Sequence, residues 1–185
     1  CMRFPTFETD ELDNRGRKIK AIDMKKSQEI IDYAIANGIN HFDTAWNYHN
    51  EKSAVAIGQM LKKYPRESFT LANKMPGITS APELGKPIYE KALEQHASYI
   101  EALKKCGVEY FDYYLCHAIS EKEGYDKPYE EFGGYDVLAK EKENGRIKRL
   151  GFSFHGDKEV FKYILNKFDR NLLNNVGNTK QQLLK

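Results

Sequence analysis

Side chains able to move or hold protons recur where apolar runs end. Asp43 follows "INHF", Lys74 closes "SFTLANK", His117 follows "YYLC", and Ser153 with His155 ends "RIKRLGFSFH". Tyr48 lies a few residues beyond Asp43 in "GINHFDTAWNYHNEKS". A tyrosine, with a reference pKa of about 10, is a poor acid at neutral pH unless an adjacent ammonium stabilises its phenolate. Lys74 can supply that charge, Asp43 would pair with Lys74 and keep it oriented, and His117 would donate a hydrogen bond to a substrate oxygen. The set suits carbonyl reduction: Tyr48 protonates the oxygen as a hydride arrives at carbon, a general-acid contribution of about 10²–10⁴-fold. No side chain is a hydride donor, so one must be bound.

Taken singly, each residue also has a structural account. Asp43 before Thr44 could order its loop, Tyr48 could be an aromatic lid, Lys74 could be buried and paired, and His117 could be a satisfied core histidine. His41, His49 and His96 read as packing or solvent-facing residues. The combination is more specific than its members, because independent titratable residues would seldom fall at successive strand ends.

The elements that must position these residues follow from periodicity. "IIDYAIANG" reads as a helix with Ile30, Ile31, Ala34 and Ile35 on one face and a stop at Gly38. "EKSAVAIGQMLKKYP" places Ala54, Ile57, Gly58 and Leu61 on one helical stripe before Pro65. A helix is expected over 87–105 with Tyr89, Ala92, Leu93, Ile100 and Leu103 inward, another over "YDVLAKEKENG", and a last over "DKEVFKYILNKF" capped by Asp157. With strands at "INHF", "SFTLANK", "YFDYYLC" and "RIKRLGFSF", the order alternates strand and helix, which marks parallel β/α units. The absence of a G-x-G-x-x-G turn favours a barrel over a doubly wound sheet. A complete eightfold barrel needs about 250 residues, so the expectation is an α/β chain with about half of a (β/α)8 barrel readable.

Composition narrows the field. The chain has 185 residues, with 29 Lys and Arg against 27 Asp and Glu. These charges are interspersed, which points away from nucleic acid and from anionic membranes. No window approaches the roughly 18 apolar residues of a membrane span, and the opening segment lacks a signal-peptide core, so a cytoplasmic protein is expected. Cys1, Cys106 and Cys116 are odd in number without C-x-x-C spacing, which fits reduced thiols better than a disulfide scaffold, zinc knuckle or iron-sulfur cluster. The first residue, Cys1, is not a translation start, so residues upstream are expected in the natural protein.

The stretches "GINHFDTAWNYHNEKSAVAIGQML", "LANKMP", "YFDYYLCHA" and "GRIKRLGFSFH" resemble successive signatures of the aldo-keto reductases, NAD(P)H-dependent enzymes built on the (β/α)8 barrel. The resemblance covers residues 1–168 and leaves 169–185 as a tail of unclear placement, from elsewhere in a longer protein or a true terminus. It implies a catalytic set of Tyr48, Lys74, Asp43 and His117, cofactor contacts from Ser153, Asp43 and His155, and a substrate pocket including Trp46 and His117. It further implies a small-molecule carbonyl substrate and NADP(H) or NAD(H). "CMRFP" and "GFSFH" are similar to a subgroup whose full-length members often end in a ferredoxin-like cysteine cluster, so an iron-sulfur cluster is expected only in a segment absent from this chain. The family's first strand and last three strands find no counterpart in the sequence.

Two other functions compete. One is a non-catalytic relative that binds nucleotide and serves as a regulatory or interaction subunit. The other is a metal-dependent barrel hydrolase using His117, His155, Asp43 and neighbours, although such sites usually open with H-x-H and this chain has H-x-D at His41 and Asp43.

Overall fold

The computed structural model describes residues 1, 3–12, 16–75 and 92–175, with side chains described for 99–168 of the last segment. The chain opens with an antiparallel hairpin of β1 (Thr6–Leu12) and β2 (Lys18–Ile22), followed by α1 (Met24–Ala36). Then come β3 (His41–Asp43), α2 (Ser53–Leu61), β4 (Thr70–Met75), α3 (Ala92–Cys106) and β5 (Phe111–Ile119). A short α4 (Glu123–Tyr125) runs into a π-helical turn, Asp126–Glu131, before α5 (Gly134–Glu143), β6 (Ile147–Phe154) and α6 (Lys158–Asn175).

Strands β3 to β6 form one parallel sheet in the order β3-β4-β5-β6, so each strand pairs with the next in sequence. A doubly wound sheet reverses direction at a switch point, whereas a barrel keeps adding on one side. The described sheet does the latter and forms part of a (β/α)8-type barrel. The expected strands are all present, with β5 extended to Ile119.

Side chains alternate between two faces along each strand. One face meets the helices: Asn73 Nδ2 reaches Cys106 Sγ of α3 at 3.7 Å, Tyr114 packs edge-on to Tyr99 of α3, and Phe152 meets Phe168 of α6. Phe42, Ile57, Leu71, Cys116 and Leu138 join this core, each less than 6% exposed. Helices α2 and α3 approach so closely that a Cβ on Gly58 would lie 2.3 Å from the Cys106 carbonyl oxygen, which is why glycine occupies that stripe. The opposite face carries His41, Asp43, Lys74, Tyr113, His117, Arg149 and Ser153. At its lower end His41 Nδ1 meets Thr70 Oγ1 at 2.8 Å, and both the His41 ring and the Arg149 guanidinium lie against Tyr113.

The amino ends of β4, β5 and β6 are tied by a buried carboxylate. Asp112, 4% exposed, accepts the Leu71 N–H at 3.0 Å, Arg66 Nη2 at 2.7 Å and Lys148 Nζ at 3.0 Å. Burial opposes its ionisation, but the three donors prevail and hold the carboxyl below its ordinary value. The Arg66 guanidinium is stacked on Tyr110, 4.0 Å from its ring centre.

Several expectations need correction. Helix α1 begins at Met24, capped by Asp23 accepting the Lys26 N–H at 3.0 Å, and its inward stripe is Ser27, Ile31 and Ile35, while Ile30 is 52% exposed. The hairpin and the π turn had no counterpart in the sequence reading. Asp157 does cap α6, accepting the Val160 N–H at 2.9 Å, and the helix continues through Asn175 into the stretch that the sequence left unplaced. The expected helical residues 87–91, with Tyr89, and the tail's residues 176–185 lie outside the described residues. Cys1, Cys106 and Cys116 are free thiols, and no helix among the described residues is long and apolar enough to cross a membrane.

Candidate active site

At the carboxyl ends of the strands, alternation puts Asp43 of β3, Lys74 of β4, His117 of β5 and Ser153 of β6 on the same face of the sheet. The Lys74 ammonium, on a side chain 6% exposed, has three acceptors for its three protons: Asp43 Oδ1 at 2.5 Å, the Thr44 carbonyl at 2.8 Å and Tyr48 Oη at 3.4 Å. A buried ammonium needs such pairing to remain charged.

Tyr48 arrives through a tightly wound loop. His49, Asn50 and Glu51 all have positive φ (52°, 51° and 66°), a run that non-glycine residues adopt only when their surroundings enforce it. His49 Nε2 accepts the Phe4 N–H at 3.1 Å, and Thr44 Oγ1, Ser53 Oγ and the Cys1 carbonyl form a chain of hydrogen bonds at 2.9 and 3.1 Å. The amino-terminal segment therefore buttresses the loop, and His49 has the packing role its sequence context implied.

His117 is 7% exposed and meets the Tyr48 ring edge-on, 5.9 Å between centroids. Its Nδ1 is buried with no partner among the described residues. Burial first, then the Lys74 ammonium, pushes the imidazole down to about 4, with Asp43 opposing and His155 adding slightly to the fall. His117 is thus neutral at physiological pH, with a ring nitrogen available to an incoming polar group. The folded pKa lies below the unfolded value of about 6.5, so the unfolded chain binds the proton first. This contribution to stability is complete above about pH 6.5 and is lost as pH falls toward 4. Urea unfolding should show a loss of about 2 kcal/mol between about pH 7 and 4.5, and His117→Gln should reduce that loss measurably. An identical pH dependence in the variant would refute the assignment.

Ser153 Oγ accepts the Ala118 N–H at 2.7 Å, fixing Ala118 at φ 54°, and its own O–H remains able to donate. His155 is exposed beyond β6, its N–H donated to the Ile119 carbonyl at 2.9 Å. Trp46 is half-buried against the core, its ring 3.9 Å from Lys105 Nζ of α3. Asp43, Tyr48, Lys74 and His117 are therefore gathered in one place, Ser153 stands on the neighbouring strand, and Trp46 is placed toward α3. Among the described residues no three His, Cys, Asp or Glu side chains converge as metal ligands, and Asp43 gives its carboxylate to Lys74 instead.

The sequence reading missed Tyr129. Its hydroxyl accepts the backbone N–H of His117 at 3.0 Å. Its only signal was the recurrence of Tyr125 and Tyr129 one helical turn apart within the charged stretch "EKEGYDKPYEEF".

A sequentially paired parallel sheet with a lysine-centred cluster at its carboxyl ends is the architecture of a β/α barrel, a fold in which active sites sit at the carboxyl ends of the strands. The chain belongs to the aldo/keto reductase family, whose sequence pattern it matches over residues 10–177. It is 34% identical over 129 residues to a probable aldo-keto reductase of Glycine max, covering 67% of this chain and 34% of that protein. Solved structures share the fold. The holo form of an aldo-keto reductase from Bacillus halodurans superposes with a TM-score of 0.62 at 22% identity, covering 88% of this chain and 54% of that one. An aldo-keto reductase from Klebsiella pneumoniae in complex with NADPH gives 0.60 at 21% identity, covering 77% and 44%. The chain spans between 34% and 46% of the length of the curated relatives it matches.

Proposed function

We propose that the protein carrying this chain reduces an aldehyde or ketone with NAD(P)H, or oxidises the corresponding alcohol in reverse. The observation that carries this reading is the Lys74 ammonium held between Asp43 and the Tyr48 hydroxyl, with a neutral His117 edge-on to the same phenol. Family membership and the NADPH complex of the relative from Klebsiella pneumoniae support it.

When bound, the nicotinamide of NAD(P)H would supply the hydride, which no side chain can. Ser153, through its remaining O–H, and Asp43 would hold the carboxamide of the ring, with the exposed His155 at the margin of that contact. Tyr48 gives its phenolic proton to the carbonyl oxygen, and the charge left behind faces Lys74 Nζ at 3.4 Å. Lys74 keeps its place because Asp43 and the Thr44 carbonyl hold it from the other side. His117, neutral and sparsely hydrated, donates to the same substrate oxygen and favours the carbonyl orientation that faces Tyr48. Trp46 follows Asp43 in the loop that carries Tyr48 and would line the substrate pocket from that loop, although its ring rests on Lys105 of α3.

Adding NADPH should quench the fluorescence of Trp46, the sole tryptophan, and a panel of aldehydes and ketones should then oxidise the nucleotide. The whole protein carrying this chain showing neither quenching nor oxidation would overturn the reading. Quenching without oxidation would instead identify a nucleotide-binding relative that lacks catalysis.

A further inference from the structure

Tyr129, 1% exposed, sits in the π turn between β5 and α5. Its hydroxyl donates to the Met75 carbonyl at 3.1 Å and accepts the N–H of His117 at 3.0 Å. Met75 directly follows Lys74 and pairs with Cys116, the residue before His117, at the last register position between β4 and β5. One hydroxyl thus joins the two backbones where their own ladder stops, beside both Lys74 and His117. The other flank of His117 is fixed by Ser153 through the Ala118 N–H. The π turn is itself anchored: Tyr163 of α6 donates to Asp126 Oδ2 at 2.7 Å, Lys167 of α6 pairs with Glu130, and the Tyr129 ring packs on Tyr125. Such turns are energetically poor and occur often at functional sites, so this degree of anchoring is informative.

We propose that Tyr129 is a positioning residue, acting through Met75 and His117 to keep the Lys74 ammonium and the His117 imidazole at a fixed separation. The purpose of that positioning rests on the proton-transfer reading above, but the bridge itself does not. Removing the hydroxyl takes away the partner that it supplies to both the Met75 carbonyl and the His117 N–H, so the strand ends are held less firmly and water gains access beside His117.

The test is Tyr129→Phe in the full chain, read by NMR and by kinetics. The groups facing the His117 imidazole are Asp43 on β3, Tyr48 in its loop, Lys74 on β4 and His155 beyond β6. With these unchanged, the His117 midpoint should rise from about 4 by about one unit toward its ordinary value as water reaches the ring. Exchange of the His117 amide should quicken about tenfold while that of Tyr114 stays within about twofold. Turnover should fall about tenfold with nucleotide affinity held within about twofold. A folded variant with an unmoved His117 titration and amide exchange overturns the proposal, as does an equal loss of turnover and nucleotide affinity. If Tyr129→Phe does not fold, fluorotyrosine placed at 129 decides. It retains the ring and hydroxyl but accepts more weakly, so the His117 amide proton must shift, and an unmoved proton overturns the bridge. Absence of carbonyl reduction in the whole protein carrying this chain would sink the functional reading alone, since the His117 titration still judges Tyr129.

Discussion

Tyr48→Phe should lower carbonyl turnover by about 10²–10⁴-fold and leave nucleotide binding unchanged. The substitution removes one oxygen at the surface of the cluster, 3.4 Å from Lys74 Nζ, and leaves the Asp43 and Thr44 contacts of that ammonium in place. The ring's edge-on contact with His117 also survives, so the loss measures the proton donor and little else. Single-turnover reduction with saturating nucleotide, alongside fluorescence titration of Trp46, separates the two quantities. Turnover within tenfold of the unmodified chain would remove Tyr48 as the acid and direct attention to His117.

The second large effect concerns stability. Asp112→Asn should destabilise the fold by about 2–4 kcal/mol, even though the substitution is nearly isosteric. The carboxylate serves the Leu71 N–H, Arg66 and Lys148 together, and an amide can accept on one side only. If its oxygen keeps the Leu71 N–H and Arg66, its NH₂ faces the Lys148 ammonium; if it is turned over, its NH₂ faces the Leu71 N–H and an Arg66 already stacked on Tyr110. Because the folded Asp112 carboxyl titrates below its unfolded value, its contribution is present above about pH 3.9 and disappears as pH falls through the folded midpoint. Urea unfolding at neutral pH measures the loss, and a change under 0.5 kcal/mol, the scale of an ordinary surface substitution, would show that the three donors find other acceptors.

The sequence made the strands and the chemical cluster legible for one physical reason. Strands buried against helices must be apolar, so a lysine or histidine closing such a run, as Lys74 closes β4 and His117 follows "YYLC", stands out against its neighbours. The same logic located α2, whose Ala54, Ile57, Gly58 and Leu61 are all buried. It failed where burial does not shape the sequence. The β1-β2 hairpin is largely exposed, so its "TFETDEL" carries no apolar alternation to detect. Helix α1 starts with the polar "MKKSQE", and its narrow stripe of Ile31 and Ile35 made the adjacent Ile30 look buried too. Tyr129 was illegible because its partners are backbone groups, which have no residue-specific signature.

The order of the sheet has a kinetic consequence. Each strand of β3-β4-β5-β6 hydrogen-bonds to the strand that follows it along the chain, so every ladder closes only the segment between two consecutive strands. Loop-closure entropy grows only slowly with length, and the costliest contacts in folding are those between distant segments. A nucleus of β4, α3 and β5, holding Tyr99, Phe111 and Tyr114 in mutual contact, can therefore gain one β/α unit at a time on either side. The cluster around Lys74 draws on three different strands and the loop after β3, so it becomes complete only once several of these additions are made. Assembly of the site then reports on the growth of the sheet rather than on any single unit.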